Sequence, residues 1–241
     1  MRIATKTDKG AVRNINQDSF AASYVGGKLW AVVCDGMGGA NAGGVASANA
    51  VKKITDVMEQ SLTAQMGAAY LRSTLQSSLE TANAMLYDMA QKNEEYAGMG
   101  TTAVVTVVLG SMAYFAHVGD SRLYICRNGE LEQLTTDHSV VQFMVENGQL
   151  TASEAKTHPR KNVITRAIGV DERISVDLGE CAVLEGDRLL LCSDGLTNYV
   201  DTALILETLQ DDNFDEIPEK LIDLANNGGG GDNITAVVIE I

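Results

Sequence analysis

The placing of hydrophobic and polar positions at the start of the chain predicts three paired strands, 2–8, 18–25 and the more apolar 28–34, with Gly26-Gly27 as the turn between the last two. A glycine-rich stretch, DGMGGANAGG, reads as a loop. Residues 45–60 and 65–93 follow, rich in Ala, Leu, Met and Gln, and predict two long helices. Strand character returns in a hairpin over 101–117 and in 121–127, which ends at the Asn128-Gly129 turn. Residues 139–148 predict a short helix, and an irregular polar stretch runs on to about Arg166. A strand at 188–192, helices at 202–209 and 216–226, and a strand at 234–241 complete the pattern. Strands and helix pairs follow one another without a regular βαβ beat. The expected fold is α+β, two antiparallel sheets forming a sandwich with helix pairs packed outside.

No low-complexity linker or repeat divides the 241 residues, so a single domain, 1–241, is expected. From Tyr96 to Gly119 no side chain is charged, a length that could span a bilayer. Its β-branched content and the Gly110-Ser111 break read instead as a hairpin, so no membrane span is expected. The first ten residues, MRIATKTDKG, show no apolar signal region. Cys34, Cys126, Cys181 and Cys192 form no C-x-x-C pair and read as small buried apolar residues, which fits a reducing, cytoplasmic compartment. With 18 Lys and Arg against 32 Asp and Glu, the net charge of -14 argues against nucleic acid as a partner. It also means that an anionic substrate would need something cationic between itself and the protein.

The aspartates carry the chemical signal. Asp35 and Asp194 each end an apolar strand and precede Gly, in LWAVVCDG and RLLLCSDG. Asp120 ends a strand in AYFAHVGDS, while Asp18 and Asp232 stand at strand starts. Each alone reads as a turn residue. Together they are five carboxylates at strand termini that can converge. Two unit charges 4 Å apart repel by about 4 kcal/mol at an effective dielectric near 20, so such a cluster calls for divalent cations. An all-oxygen set without Cys or His at zinc spacing points to Mg or Mn. Two such ions could activate a shared water and supply the positive charge a phosphate needs. Arg13, five residues before Asp18, could hold two phosphate oxygens in its guanidinium fork.

Other features are weaker. GMGGANAGG lacks the third Gly of G-x-G-x-x-G and the Lys-Ser of a P-loop; its glycines, like Gly228–Gly231, allow backbone to approach a metal site closely. His117 reads as a core or strand-pairing residue, whereas His138 and His158 bracket the polar stretch and are candidates for touching substrate.

Eight segments in order, VRNINQDS, AVVCDGMGGANAGG, GTTAVV, HVGDSRLY, LTTDHSVVQ, THPRKNVITRAIG, LLCSDGLTN and GGGGDNITAVV, resemble the metal-dependent protein serine/threonine phosphatases of the 2C type, in the compact bacterial form. The resemblance covers essentially the whole chain. It implies a β-sandwich with the metal centre at one end, and hydrolysis of phosphoserine and phosphothreonine on proteins without a covalent intermediate. It implies that Asp35 bridges two Mn or Mg ions, that the Gly36 carbonyl binds one directly or through water, and that Asp194 and Asp232 complete the first site. Asp18 would serve the second site through water, Asp120 would bind a weaker third ion, and Arg13 would hold the phosphate. Residues 138–166 match the flap beside the active site. Met37 stands where many eukaryotic members carry a histidine proposed as general acid, so the resemblance assigns no acid here. Phosphorylated proteins, a bacterial Ser/Thr kinase among them, are the implied partners of a monomeric enzyme. The competing readings are a catalytically silent metal-binding adaptor for phosphoproteins and a calcium-stabilised structural module.

Overall fold

The computed structural model describes residues 1–25, 27–62 and 66–241, with no side-chain description at positions 40 and 41. The strands are β1 Arg2–Asp8, β2 Asp18–Val25, β3 Lys28–Met37, β4 Gly100–Thr101, β5 Ala103–Leu109, β6 Met112–Val118, β7 Arg122–Arg127, β8 Glu130–Gln133, β9 Asp177–Ala182, β10 Arg188–Cys192 and β11 Ile234–Glu240. The helices are α1 Gly39–Ser61, α2 Ala68–Lys92, α3 Val140–Glu146, α4 Ala152–Thr157, the single turn α5 Asp194–Thr197, α6 Thr202–Leu209 and α7 Ile217–Asn227. One sheet runs β1-β11-β10-β7-β8 and the other β2-β3-β5-β6-β9, with β4 added to the end of β3. Every strand pairing among the described residues is antiparallel.

Three apolar layers hold this α+β sandwich together. Leu29, Ala31 and Val33 of β3 point between the sheets and meet Leu191, Val237 and Ile239. Trp30, Val32 and Cys34, the alternate residues, face α1 and α2 and pack with Ile54, Met58 and Leu75. On the far side β10 and β11 pack against α6 and α7 through Leu190, Val238, Ile205 and Leu221. A central strand buried on both faces needs a continuous apolar run, which is why 29–34 and 189–192 are uniformly hydrophobic.

Several boundaries differ from the sequence reading. The glycine-rich stretch is not a loop: α1 starts at Gly39, six residues earlier than expected. The reason is steric, because a Cβ on Gly43 would lie 2.7 Å from the Gly36 carbonyl oxygen, so these glycines let the helix start pack on β3. The polar stretch before Arg166 contains α4, started by a capping box between Thr151 and Glu154. Strand β9 was not expected; its residues are alternately half-buried and exposed, and among the described residues it pairs only with β6, at a sheet edge. The expected turn residue Gly26 and helix start Gln65 lie outside the described residues. The uncharged residues 96–119 are mainly the β5–β6 hairpin, and among the described residues no helix is long and apolar enough to cross a membrane.

Candidate active site

Strand ends at one edge of the sandwich surround a cavity of about 730 Å³. Asp35, Asp120, Asp194, Asp232, the Gly36 backbone and Arg13 all line it. Asp35 comes from β3, Asp120 from the turn after β6, Asp194 from the first turn of α5, and Asp232 from the residues leading into β11. Four carboxylates from distant parts of the chain thus share one wall.

Hydrogen bonds position three of them. The Asp35 amide donates to Thr102 Oγ1 at 3.0 Å, and its carbonyl accepts from the Thr102 amide at 2.9 Å and from Thr101 Oγ1 at 2.8 Å. Asp194 Oδ2 accepts from Asn198 Nδ2 at 2.8 Å, while its Oδ1 is buried without a hydrogen-bond partner. Asp232 Oδ2 accepts from Arg13 Nη2 at 2.9 Å, which sets the guanidinium beside the carboxylate group. The loop carrying Arg13 is held by Asn233: its Oδ1 accepts from the Gln17 amide at 2.8 Å, and its Nδ2 donates to the Lys9 and Ile15 carbonyls, both at 2.9 Å. Asn233 was not singled out from sequence; its place beside Asp232 was the available signal.

Asp18 behaves differently. It pairs directly across the strands with Asp35 but does not line the cavity. Its Oδ2 accepts from Ser193 Oγ and from Thr235 Oγ1, both at 2.7 Å, and its Oδ1 is buried without a partner. It therefore braces the cavity from behind and ties one sheet to the other.

Crowded, buried carboxylates resist ionisation. Burial, outweighing hydrogen bonds from Ser193 and Thr235, pushes Asp18 up to about 7. Burial and the neighbouring Asp194 push Asp120 up to about 8. Asp35 is raised well above the usual range by burial and then by Asp18, Asp194, Asp120 and Asp232, and Asp194 is raised by burial and Asp232. The donor set is all oxygen, and two buried carboxylate oxygens lack a partner. Divalent cations that prefer oxygen fit this site.

A second group was missed in sequence. His117, His138 and Asp177 each offer one ligand atom within 4.8 Å of the others, a spacing that could hold a divalent cation. Here the cation is Arg166, whose Nη1 donates to Asp177 Oδ1 at 2.7 Å. The two imidazole rings stack with centroids 4.6 Å apart and planes 20° apart. Burial pushes His117 down to about 4, so the ring is neutral near pH 7. Asp177 lies in β9, a strand whose half-polar pattern hid it. His158 caps α4, accepts from the Arg160 amide at 3.1 Å, and does not line the cavity. Asn162 and Ile164 are the residues of 138–166 that do line it.

Gly36 offers a local test. A Cβ there would lie 2.0 Å from the Gly43 carbonyl oxygen and 2.7 Å from that of Gln17. Gly36→Ala is expected to cost about 3–5 kcal/mol, lowering the melting temperature by roughly 10 °C. An unchanged melt would mean that α1 does not begin against β3.

Comparison with known proteins first gives the class, serine/threonine phosphatases. The protein phosphatase PhpP of Streptococcus pneumoniae is 39% identical over 245 residues, covering 100% of this chain and 98% of its own length. The serine/threonine phosphatase of S. agalactiae superposes with a TM-score of 0.92 at 40% identity, covering 100% of this chain and 99% of that one. The catalytic domain of the phosphatase PstP, solved in complex with 2 manganese ions, gives 0.87 at 34% identity over 99% and 97% of the two chains. The family model for protein phosphatase 2C matches residues 9–225. The chain belongs to the protein phosphatase 2C family, in its bacterial branch, and is a protein serine/threonine phosphatase.

Proposed function

We propose that the carboxylate cavity is a Mn- or Mg-dependent centre that hydrolyses phosphoserine and phosphothreonine on proteins by direct attack of water, with a bacterial Ser/Thr kinase among its substrates. The observation that carries this is the convergence of Asp35, Asp120, Asp194 and Asp232 on one cavity with Arg13 beside them. When bound, divalent cations supply positive charge for the phosphate and lower the pKa of an attacking water.

In this reading Asp35, whose carboxyl feels Asp18, Asp194, Asp120 and Asp232, would be shared between two ions. Asp194 and Asp232 complete the first site together with the Gly36 carbonyl. Asp18 serves the second from behind, where its Oδ1 lacks a partner. Asp120 serves a weaker third. The manganese in the PstP structure supports an ion of this kind. The stacked histidines are a poorer home, because Arg166 already neutralises Asp177 and the His138 Nδ1 is taken by the Gly119 amide.

The protein offers no competing thiol nucleophile here. Cys34, beside Asp35 in sequence, is buried, and burial together with Asp18 and Asp35 pushes its thiol far up. Cys192 is pushed up to about 12, chiefly by burial. A thiolate route needs the opposite shift. All four cysteines are free, and a cytoplasmic setting is part of the same proposal. Residues 138–166, which place Asn162 and Ile164 on the cavity wall, serve as its flap.

Arg13 binds phosphate. It spends one of its five N–H donors on Asp232 and is half exposed at the cavity. Because a guanidinium contacts the phosphate before and during transfer, Arg13→Ala is expected to raise KM about tenfold with a smaller change in kcat. A KM unchanged from wild type would remove Arg13 from the substrate site. The reaction itself is tested by phosphate release from a phosphothreonine peptide. Chelation should abolish it, Mn should restore it, and Ca should restore little, because its looser shell orients water poorly. Full turnover in chelator would overturn the proposal.

A further inference from the structure

Asp120 is held between two sets of hydrogen bonds. On one side the Ser121 and Thr102 hydroxyls share a bond of 2.6 Å, and Thr102 Oγ1 also accepts from the Asp35 amide. On the other side His138 grips Gly119 twice. Its amide donates to the Gly119 carbonyl at 3.0 Å, and its Nδ1 accepts from the Gly119 amide at 3.1 Å. We propose that His138 is a positioning residue for Asp120: its ring locks Gly119, holds the Asp120 carboxylate on the cavity wall, and ties residues 138–166 to the acidic site. The inference rests on the metal reading of that cavity.

The surrounding chemistry fixes the ring. A backbone amide can only donate, so Nδ1 carries no proton and the neutral ring bears its proton on Nε2. That N–H faces Asp177 Oδ2 at 3.2 Å; Arg166 Nη1, although 3.1 Å from the same Nε2, cannot donate to a nitrogen that bears a proton and donates instead to the other Asp177 oxygen at 2.7 Å. Asp177 thereby decides which ring nitrogen meets Gly119, the same logic by which a carboxylate orients a catalytic or metal-bound histidine. His117 stacks on the ring and sets its plane.

Gly119 has little freedom to move. Its φ is +104°, and a Cβ there would lie 2.6 Å from Thr102 Cγ2. Two residues after Asp120, Arg122 grips Asp137 with bonds of 2.6, 2.9 and 3.1 Å, so the two segments stay together when the ring bond alone is lost. The far end of the flap returns to the same residue. The His138 carbonyl accepts from the Thr165 amide at 2.7 Å, and Ser139 forms a bridge with Ile164.

Amide substitutions separate the two ring nitrogens. The Asn oxygen falls near the position of Nδ1 and keeps an acceptor for Gly119; the Gln amide falls near Nε2 and keeps only the side facing Asp177. The first readout is exchange of the Gly119 amide in metal-free protein, followed by NMR. His138→Asn should stay within about threefold of wild type, while His138→Gln and His138→Ala should exchange about tenfold faster, the worth of one hydrogen bond. The second readout is calorimetric titration with Mn, with turnover followed in parallel. The weakest binding phase should shift to higher Mn in the Gln and Ala variants, and should match wild type in the Asn variant.

Melting temperatures provide the control, since a residue that merely props the flap would show metal effects that follow stability in all three variants. Equal Gly119 exchange in the Asn and Gln variants, or a weak Mn phase that follows melting temperature instead of the Asn–Gln split, would overturn the proposal. Wild-type turnover that ignores metal would instead retire the reading of the cavity, and the Gly119 exchange arm would still decide whether His138 positions this segment.

Discussion

Asp35→Asn is expected to lower kcat by about a thousandfold while leaving the metal-free protein as stable as wild type or more so. The two halves of this expectation have one cause. Asp35 is buried in the field of Asp18, Asp120, Asp194 and Asp232, and its carboxyl is raised well above the usual range. An isosteric amide removes that repulsion without changing the packing, so melting in chelator at pH 8 should not fall. The same change removes the charge proposed to join two cations. A loss of about 4 kcal/mol of transition-state stabilisation corresponds to roughly three powers of ten. Steady-state kinetics on a phosphothreonine peptide and thermal melts in chelator check the two halves together. A variant with kcat near that of wild type, or one that melts well below it in chelator, would show that Asp35 serves packing more than catalysis.

A second large effect is the pH dependence of the metal-free protein. Asp18 and Asp120 are raised to about 7 and about 8, each chiefly by burial. A carboxyl raised in the fold binds its proton more tightly there than in the unfolded chain. Its contribution to stability is therefore complete below its unfolded value, near 4, and is lost as pH rises through the folded value. The buried histidines work the other way. His117, lowered to about 4 by burial and by His138, and His138, lowered by burial, add stability as pH rises toward 6.5 and nothing beyond. Above pH 6.5 only the raised carboxyls remain, so the sign is unambiguous there. Between pH 6.5 and 8.5 Asp18 and Asp120 together should cost about 3 kcal/mol, a fall of roughly 5–10 °C in melting temperature. Saturating Mn should remove most of the fall, because the cation takes the place of the protons. Melts in chelator that stay level across this window would mean that the carboxyls are ionised without strain, and that the cluster has no need of a cation.

Much of this was legible in the sequence because the site is written as punctuation. An apolar strand followed by Asp-Gly announces a carboxylate near a sheet end: Asp194 opens α5 just after β10, and Asp35 lines the same cavity although β3 runs on to Met37. The two-sheet core was readable from its uniformly apolar central strands. Three things were not. Burial of β3 on both faces erased the alternation that would have told its helix face from its sheet face. The glycines of α1 looked like a loop, because close packing of a helix on a strand and a flexible turn both call for a residue without a side chain. Asp177 sits in an edge strand of mixed polarity, and its partners His117 and His138 are 60 and 39 residues away, so no local spacing could assemble them. Asp18 was legible as a strand-start carboxylate, but only the fold shows it braced by Ser193 and Thr235 behind the cavity.

Counting manganese ions bound per chain, in wild type and in two variants, bears most directly on the central claim. Calorimetric titration of chelator-stripped protein at pH 7.5 should show two tightly bound ions in wild type. Asp194→Asn should lose at least one of them together with turnover, while Asp177→Asn should keep both. The reverse pattern, with binding intact in the Asp194 variant and lost in the Asp177 variant, would place the ions among the histidines and contradict a metal centre built from Asp35, Asp194 and Asp232.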